Sequence, residues 1–238
     1  MGILSFSFFF LSMLEVIAGQ AATDPNEVAA LNKMVDYWNL RTKLNFTVDP
    51  CTRNATWAQE NANPRIACDC SASVCHVTHL SVYHPHHHGH TTSAIHSANF
   101  TLFGNRRFQG TALEGPIPSS FSALTKVEDL LLRNCRVAGQ LPTHLSSFTN
   151  LQILDLSFNK LTGHIPNSFQ DFASLEYLYL GSNNLSGELP AKIVTSKLVA
   201  LDISFNSISG NLPIDSSKVG FSMNTVGTSI NANGLLDV

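Results

Sequence analysis

Charged residues are scarce in this 238-residue sequence, at 13% of the chain, and there is no excess of basic ones: 14 lysines and arginines stand against 17 aspartates and glutamates, a formal net charge of −3. Holding nucleic-acid phosphates requires a cationic surface, so nucleic acid is excluded as a partner class. Beyond residue 22 no run reaches the 18 or more consecutive apolar residues of a membrane-spanning helix. Signatures of catalysis are missing too. The chain has no G-x-S-x-G nucleophile elbow, no H-E-x-x-H zinc motif and no phosphate-binding loop. Neither an enzymatic activity nor a cofactor is expected.

The stretch 2–18 is apolar and rich in phenylalanine, and small residues at Ala18, Gly19, Ala21 and Ala22 offer a peptidase site before Thr23. It reads as a cleaved signal peptide over 1–22, although the usual basic n-region is absent and Glu15 interrupts the run. Four N-x-[ST] glycosylation acceptors, Asn45, Asn54, Asn99 and Asn184, fit passage through the secretory pathway.

One pattern then recurs at almost constant spacing. Leu151, Leu154, Leu156, Asn159, Leu161, Gly163, Ile165 and Pro166 read L-x-x-L-x-L-x-x-N-x-L-x-G-x-I-P. The copies that follow start at Leu175 and Leu198, and the copy before starts at Val127, with Cys135 in place of the asparagine. A degraded copy runs from Phe103 through Leu113, Gly115, Ile117 and Pro118 to Leu124. Such a repeat builds a solenoid, because each coil points its leucines into an interior that only neighbouring coils can close. The asparagine satisfies backbone groups where the chain leaves its strand. Cys135 lacks the amide, so its coil is expected to be locally weaker.

A solenoid needs a lid, and 23–76 is the candidate. Asp24, Pro25 and Glu27 spell a helix start with a capping-box acid, and Val28, Leu31, Val35 and Trp38 share one helical face. Cys51, Cys68, Cys70 and Cys75 allow three pairings, of which Cys51 with Cys68 and Cys70 with Cys75 is preferred over a metal site. Cys135 is left as a buried free thiol. Val77, Leu80 and Val82 begin an irregular first coil over 77–102. Its histidine run, 84–90, reads as an exposed loop in which adventitious metal binding is the alternative to simple exposure. The repeats are expected over 103–218, and 219–238, rich in glycine, serine and asparagine, is expected to be a flexible tail.

These residues carry a resemblance. V-D-P-C at 48–51, C-D-C-S-A-S-V-C-H-V-T-H-L at 68–80, Q-G-T-A-L-E-G-P-I-P at 109–118 and L-R-N-C at 132–135 resemble plant leucine-rich-repeat receptor-like serine/threonine kinases of the subgroup with a malectin-like domain. The resemblance implies a right-handed plant-type leucine-rich-repeat coil of the α/β solenoid class, with parallel strands on a concave face and a helical, disulfide-bonded N-terminal cap. Relatives of that type continue into malectin-like, transmembrane and kinase parts. This chain carries no V-A-I-K, H-R-D or D-F-G signature, so no phosphotransfer residue is carried over. The implied role is extracellular recognition of a protein, peptide or cell-wall glycan, with a co-receptor among the candidates. Secretion to the apoplast, or the plasma membrane for a longer receptor, is the expected location. Inhibition of a secreted cell-wall hydrolase is the alternative.

Outward-facing positions between the buried leucines name the candidate site: Arg107, Gln109, Asp129, Arg133, Asp155, Tyr177, Tyr179 and Asp202. The two tyrosines lead, because an exposed tyrosine offers a large apolar face and a hydrogen-bonding tip. The two repeated aspartates have a purely structural alternative.

Overall fold

A computed structural model describes residues 21–41, 46–52, 64–83, 113–195, 197–212 and 220–231. One helix, α1 (Pro25–Tyr37), precedes a hairpin of β1 (Arg65–Asp69) and β2 (His76–Tyr83). Each following coil contributes a strand to a long sheet and a second strand to a shorter one. The long-sheet strands are β3 (Asp129–Arg133), β5 (Ile153–Asp155), β7 (Tyr177–Tyr179), β9 (Ala200–Asp202) and β11 (Ser222–Asn224). The short-sheet strands are β4 (Ala138–Gln140), β6 (Lys160–Gly163), β8 (Asn184–Glu188), β10 (Ser207–Asn211) and β12 (Ser229–Asn231). The seven-stranded sheet runs β1-β2-β3-β5-β7-β9-β11, parallel from β2 onward, and the five-stranded sheet runs β4-β6-β8-β10-β12. This is the expected leucine-rich-repeat solenoid.

The core follows the repeat. Leu130, Leu132, Leu154, Leu156, Leu178, Leu180, Leu201 and Ile203 are buried along the strands, and Phe121, Leu145 and Phe169 close the far side from short 3-10 turns. At roughly 1.5–3 kcal/mol for each fully buried aliphatic or aromatic side chain, stacking of these layers dominates the folding energy. Gly139 and Gly210 take φ of 82° and 91° within the short-sheet strands, where a side chain would be strained.

Asparagines tie neighbouring coils together. Asn159 Nδ2 donates to the carbonyls of Leu132, Leu156 and Ser157 (2.7–3.1 Å), while its Oδ1 accepts from the amides of Cys135 and Val137 (3.0 and 2.9 Å). Asn183 repeats this one coil further on, and Asn206 two coils on, the latter reaching Leu180, Ile203 and Ser204 and accepting from Leu185. Cys135 holds the same place with half the function. Its thiol lies 3.2 Å from the carbonyls of Val82 and Arg133, a donor like Nδ2, but it offers no acceptor comparable to Oδ1. Burial, reinforced by Asp155, pushes that thiol up to about 12, so it stays protonated as the geometry requires.

Three expectations about the ends change. First, β2 pairs directly with β3, with His79 opposite Asp129 and Ser81 opposite Leu131. The strand beside β3 therefore comes from 76–83 rather than from the degraded copy near Phe103, and Leu113, Ile117, Phe121 and Leu124 supply buried residues behind it. The segment between, which includes the histidine run, lies outside the described residues. Second, Glu27 is not a capping-box acid. Asp24 alone caps α1, accepting from the amides of Asn26 and Glu27 at 2.8 and 3.3 Å. The Glu27 carboxylate is 1% exposed and turns away to accept from Val77 N at 2.7 Å, with His76 Nδ1 3.1 Å away. Third, residues 220–231 are not a loose tail. They form β11 and β12 and lay one more strand on each sheet, with Met223 and Ile230 packed on the core.

The lid itself forms as expected. Cys51–Cys68 and Cys70–Cys75 are bonded, and Cys135 is free and buried. Leu31, Met34, Val35 and Trp38 are buried, the indole meeting Phe121 edge to face at 5.7 Å. Val28 is only partly buried.

Candidate outer-face binding site

Strand alternation places every second side chain of the long sheet outward, and parallel pairing aligns them in rows across the coils. One row is Asp129, Ile153, Tyr177, Ala200 and Ser222; the next is Leu131, Asp155, Tyr179, Asp202 and Asn224. Tyr177 and Tyr179 stack, with ring centroids 6.3 Å apart and planes 24° from parallel. Both are partly buried, leaving an aromatic surface at the middle of the face. Burial first, then the carboxylates of Asp155 and Asp202 and the neighbouring phenol, raises the Tyr179 pKa, so its hydroxyl remains a donor.

The aspartates divide. Asp155 is 7% exposed, and its Oδ1 accepts from both the amide and the hydroxyl of Ser157, at 2.9 and 2.5 Å. Burial raises its pKa, opposed by Ser157 and Arg133. Those contacts serve the chain as it leaves the strand, and little of the carboxylate is open to a partner. Asp202 Oδ1 makes the same bond to Ser204 N at 2.9 Å, and Asn224 Oδ1 makes it to Val226 N at 3.2 Å. Asp202 nonetheless keeps partial exposure. Gly181 permits this packing, since a Cβ there would sit 2.9 Å from Asp202 Oδ1 and 3.0 Å from Ser204 Oγ.

At the other end of the face, Asp129 Oδ2 lies 3.2 Å from His79 Nε2. Arg133 donates to Ser157 Oγ at 2.8 Å, lies 3.7 Å from Asp155 Oδ2 and stacks over the Phe158 ring at 4.3 Å. Arg107 and Gln109 lie outside the described residues, as do Asn45, Asn54 and Asn99. Asn184 is exposed at the start of β8, on the five-stranded sheet and away from the outward rows.

Two residues that the template overlooks stand at the rim. Phe158 and Phe205 are 49% and 59% exposed. They share one repeat position with Asn134 and Ser182, and all four are left-handed, with φ of 57°, 51°, 57° and 58° in the order Phe158, Phe205, Asn134, Ser182. The turn aims each amide at the next coil: Phe158 N donates to Gly181 O at 2.9 Å and Phe205 N to Val226 O at 2.7 Å. A left-handed residue just before each asparagine position throws its side chain clear of the stack. The signal was present as the repeated S-F-N at 157–159 and 204–206, but a count of strand positions stops short of it. Among the described residues no group of three or more His, Cys, Asp or Glu is placed to hold a metal ion, and no helix is long and apolar enough to cross a membrane.

The family model described as leucine rich repeat matches residues 125–185. No curated protein matches. The leucine-rich-repeat ectodomain of the receptor kinase SOBIR1 from Arabidopsis thaliana is 22% identical, with 89% of this chain and 98% of that one covered and a TM-score of 0.62. A chain of the BIR3–SERK2 complex from Arabidopsis thaliana is 19% identical, with 87% and 95% covered and a TM-score of 0.56. In the PEPR1–AtPEP1 structure the identity is 21% and the TM-score 0.58, over 85% of this chain but 25% of that one. At these identities the likeness is one of fold: the chain has the architecture of plant receptor-kinase ectodomains.

Proposed function

We propose that this chain is an extracellular recognition module of receptor-kinase type that binds a protein or peptide across the outer face of its seven-stranded sheet and performs no catalysis itself. The observation that carries the reading is the pair Phe158 and Phe205. A bulky residue in the left-handed region is strained, whereas asparagine holds the same turn at lower cost, as Asn134 does here. Within the fold these half-exposed phenyl rings make few contacts, chiefly Arg133 over Phe158 and Phe205 beside Gly227, which offset the strain only in part. They gain a great deal as anchors for a partner, together with Tyr177 and Tyr179.

The similar folds support this, since PEPR1 was crystallised with AtPEP1 and BIR3 with SERK2. The two lid disulfides, the apolar leader and the glycosylation acceptors support an extracellular setting. The lid motifs around Cys51 and Cys68–Cys75 support the subgroup with a malectin-like domain.

The test is capture of cell-surface proteins by the full chain secreted from plant cells, with the Phe158→Asn/Phe205→Asn protein beside it. An extracellular partner bound at least about 30-fold more weakly by the variant is the expected result, each anchor being worth on the order of 1–2 kcal/mol. Equal retention by both proteins would remove the face from the interaction. Capture of a cell-wall hydrolase through the same residues would favour the inhibitory role.

A further inference from the structure

We propose that the leader is removed by hydrolysis of the Ala21–Ala22 bond, so that the secreted chain begins with a free amino group on Ala22 rather than on Thr23. The inference rests on the secretory reading above and specifies which bond is cut. Water adds across the amide: hydroxide goes to the Ala21 carbonyl carbon, the C–N bond breaks and the nitrogen of Ala22 leaves as an ammonium. The agent is a signal peptidase, which requires small residues one and three positions before the cut.

Spacing alone first points to the bond before Thr23, but the fold argues against it. Residues 22–24 pair with Cys75 in parallel: Cys75 N donates to Ala22 O at 2.8 Å and Asp24 N to Cys75 O at 2.9 Å. Cys75 is fully buried, so cutting after Ala22 would remove the acceptor of a buried amide. It would also create an ammonium on Thr23, which is 3% exposed. Asp49 Oδ2, 2.8 Å from Thr23 N, would meet that charge, but the ion pair would be largely desolvated and close to neutral in net effect. Thr23 is further held through its hydroxyl, which donates to Asp49 Oδ1 and accepts from Cys51 N at 3.2 Å. This strand residue is thus a stitch between the two disulfide-bonded parts of the lid.

Cutting one bond earlier avoids both costs. Ala22 is exposed, so its new ammonium is solvated, and its carbonyl remains an amide that still accepts from Cys75. The residues before that cut fit the peptidase better as well. Gly19 and Ala21 are both small, whereas a cut before Thr23 puts Gln20 at the third position. Cuts further upstream place Gln20 next to the bond or branched Ile17 or Val16 at the third position. Peptidase preference selects this bond, which gives up the packing of Ala21 on the core, and the fold disfavours the bond one residue downstream.

The full chain is expressed in a plant secretory host, and the protein in the medium is read by intact mass and N-terminal sequencing. A mature form starting at Ala22 is expected. A start at Thr23, or upstream of Ala22, overturns the inference while leaving secretion intact; a chain that keeps Met1 and stays in the cell overturns the secretory reading beneath it. As an independent check, two mature forms are made behind one heterologous leader, starting at Ala22 or at Thr23. The shorter form is expected to melt about 3–6 °C lower. Equal midpoints would show that the Ala22 carbonyl contributes nothing and would overturn the structural half of the argument.

Discussion

Replacing Asn159 with alanine should cost more stability than replacing Asn206, by about the worth of one buried amide, although both occupy the same repeat position. Each side chain is nearly buried and donates to three carbonyls, so loss on the donor side is matched. The acceptor side differs. Asn159 Oδ1 serves two amides, Cys135 N and Val137 N, in residues 3% and 0% exposed, whereas Asn206 Oδ1 serves Leu185 N. The second amide is that of Cys135 itself, so its coil leans on its successor. A buried amide left without a partner costs roughly 1–3 kcal/mol. Asn159→Ala therefore loses about 1–3 kcal/mol more than Asn206→Ala. Urea unfolding of both variants at one pH, followed by circular dichroism and fitted with a common slope, reads the difference as a midpoint shift. Equal shifts, or a larger one for Asn206→Ala, would refute the assignment of the ladder.

Glu27→Ala should lose about 2–4 kcal/mol in the same assay, because Val77 N is fully buried and would be orphaned; a loss below about 0.5 kcal/mol would return Glu27 to an ordinary helix residue. Cys135 should make the protein alkali-sensitive. Its thiol is raised from the usual 9.0 to about 12, so the stability it contributes is complete below pH 9 and is lost as pH rises toward 12, at about 1.4 kcal/mol per unit. Cys135→Ser should flatten that slope between pH 9 and 11, and an unchanged slope would contradict the shift. Phe158→Asn and Phe205→Asn should move thermal midpoints by no more than about 2–3 °C, since relief of the left-handed turn offsets lost contacts such as Arg133 over Phe158; a larger fall would show that the rings stabilise the fold.

The coil was legible wherever leucine spacing was regular, because a residue that must reach a shared interior cannot be exchanged for a polar one without cost. The helix start was legible for a similar reason, being set by local chemistry, whereas the spacing left three disulfide pairings open and the preferred one is the one formed. Non-local pairing was harder to read. The 76–83 strand sits beside β3 despite a long separation in sequence, and nothing in the leucine pattern says which strand closes that edge. Glu27 fits the pattern of a capping box, yet tertiary demand from Val77 wins over the local bond. The last coil hid because Met223 and Ile230 do its packing with few leucines around them. In the candidate site, alternation located Tyr177, Tyr179 and Asp202 on the outer face, but it could not separate Asp155, whose carboxylate is buried against Ser157, from its partly exposed counterpart Asp202. Phe158 and Phe205 escaped notice because their exposure comes from a left-handed turn rather than from strand periodicity.

Site-specific photo-crosslinking tests the central claim most directly. A photoreactive residue is placed at Tyr179, in the middle of the outer face, or at Asn184, on the five-stranded sheet, and each secreted protein is irradiated on intact plant cells. The account predicts a discrete adduct with an extracellular protein from position 179 and none from position 184. Adducts from position 184 with none from 179 would contradict it and move recognition to the other side of the solenoid.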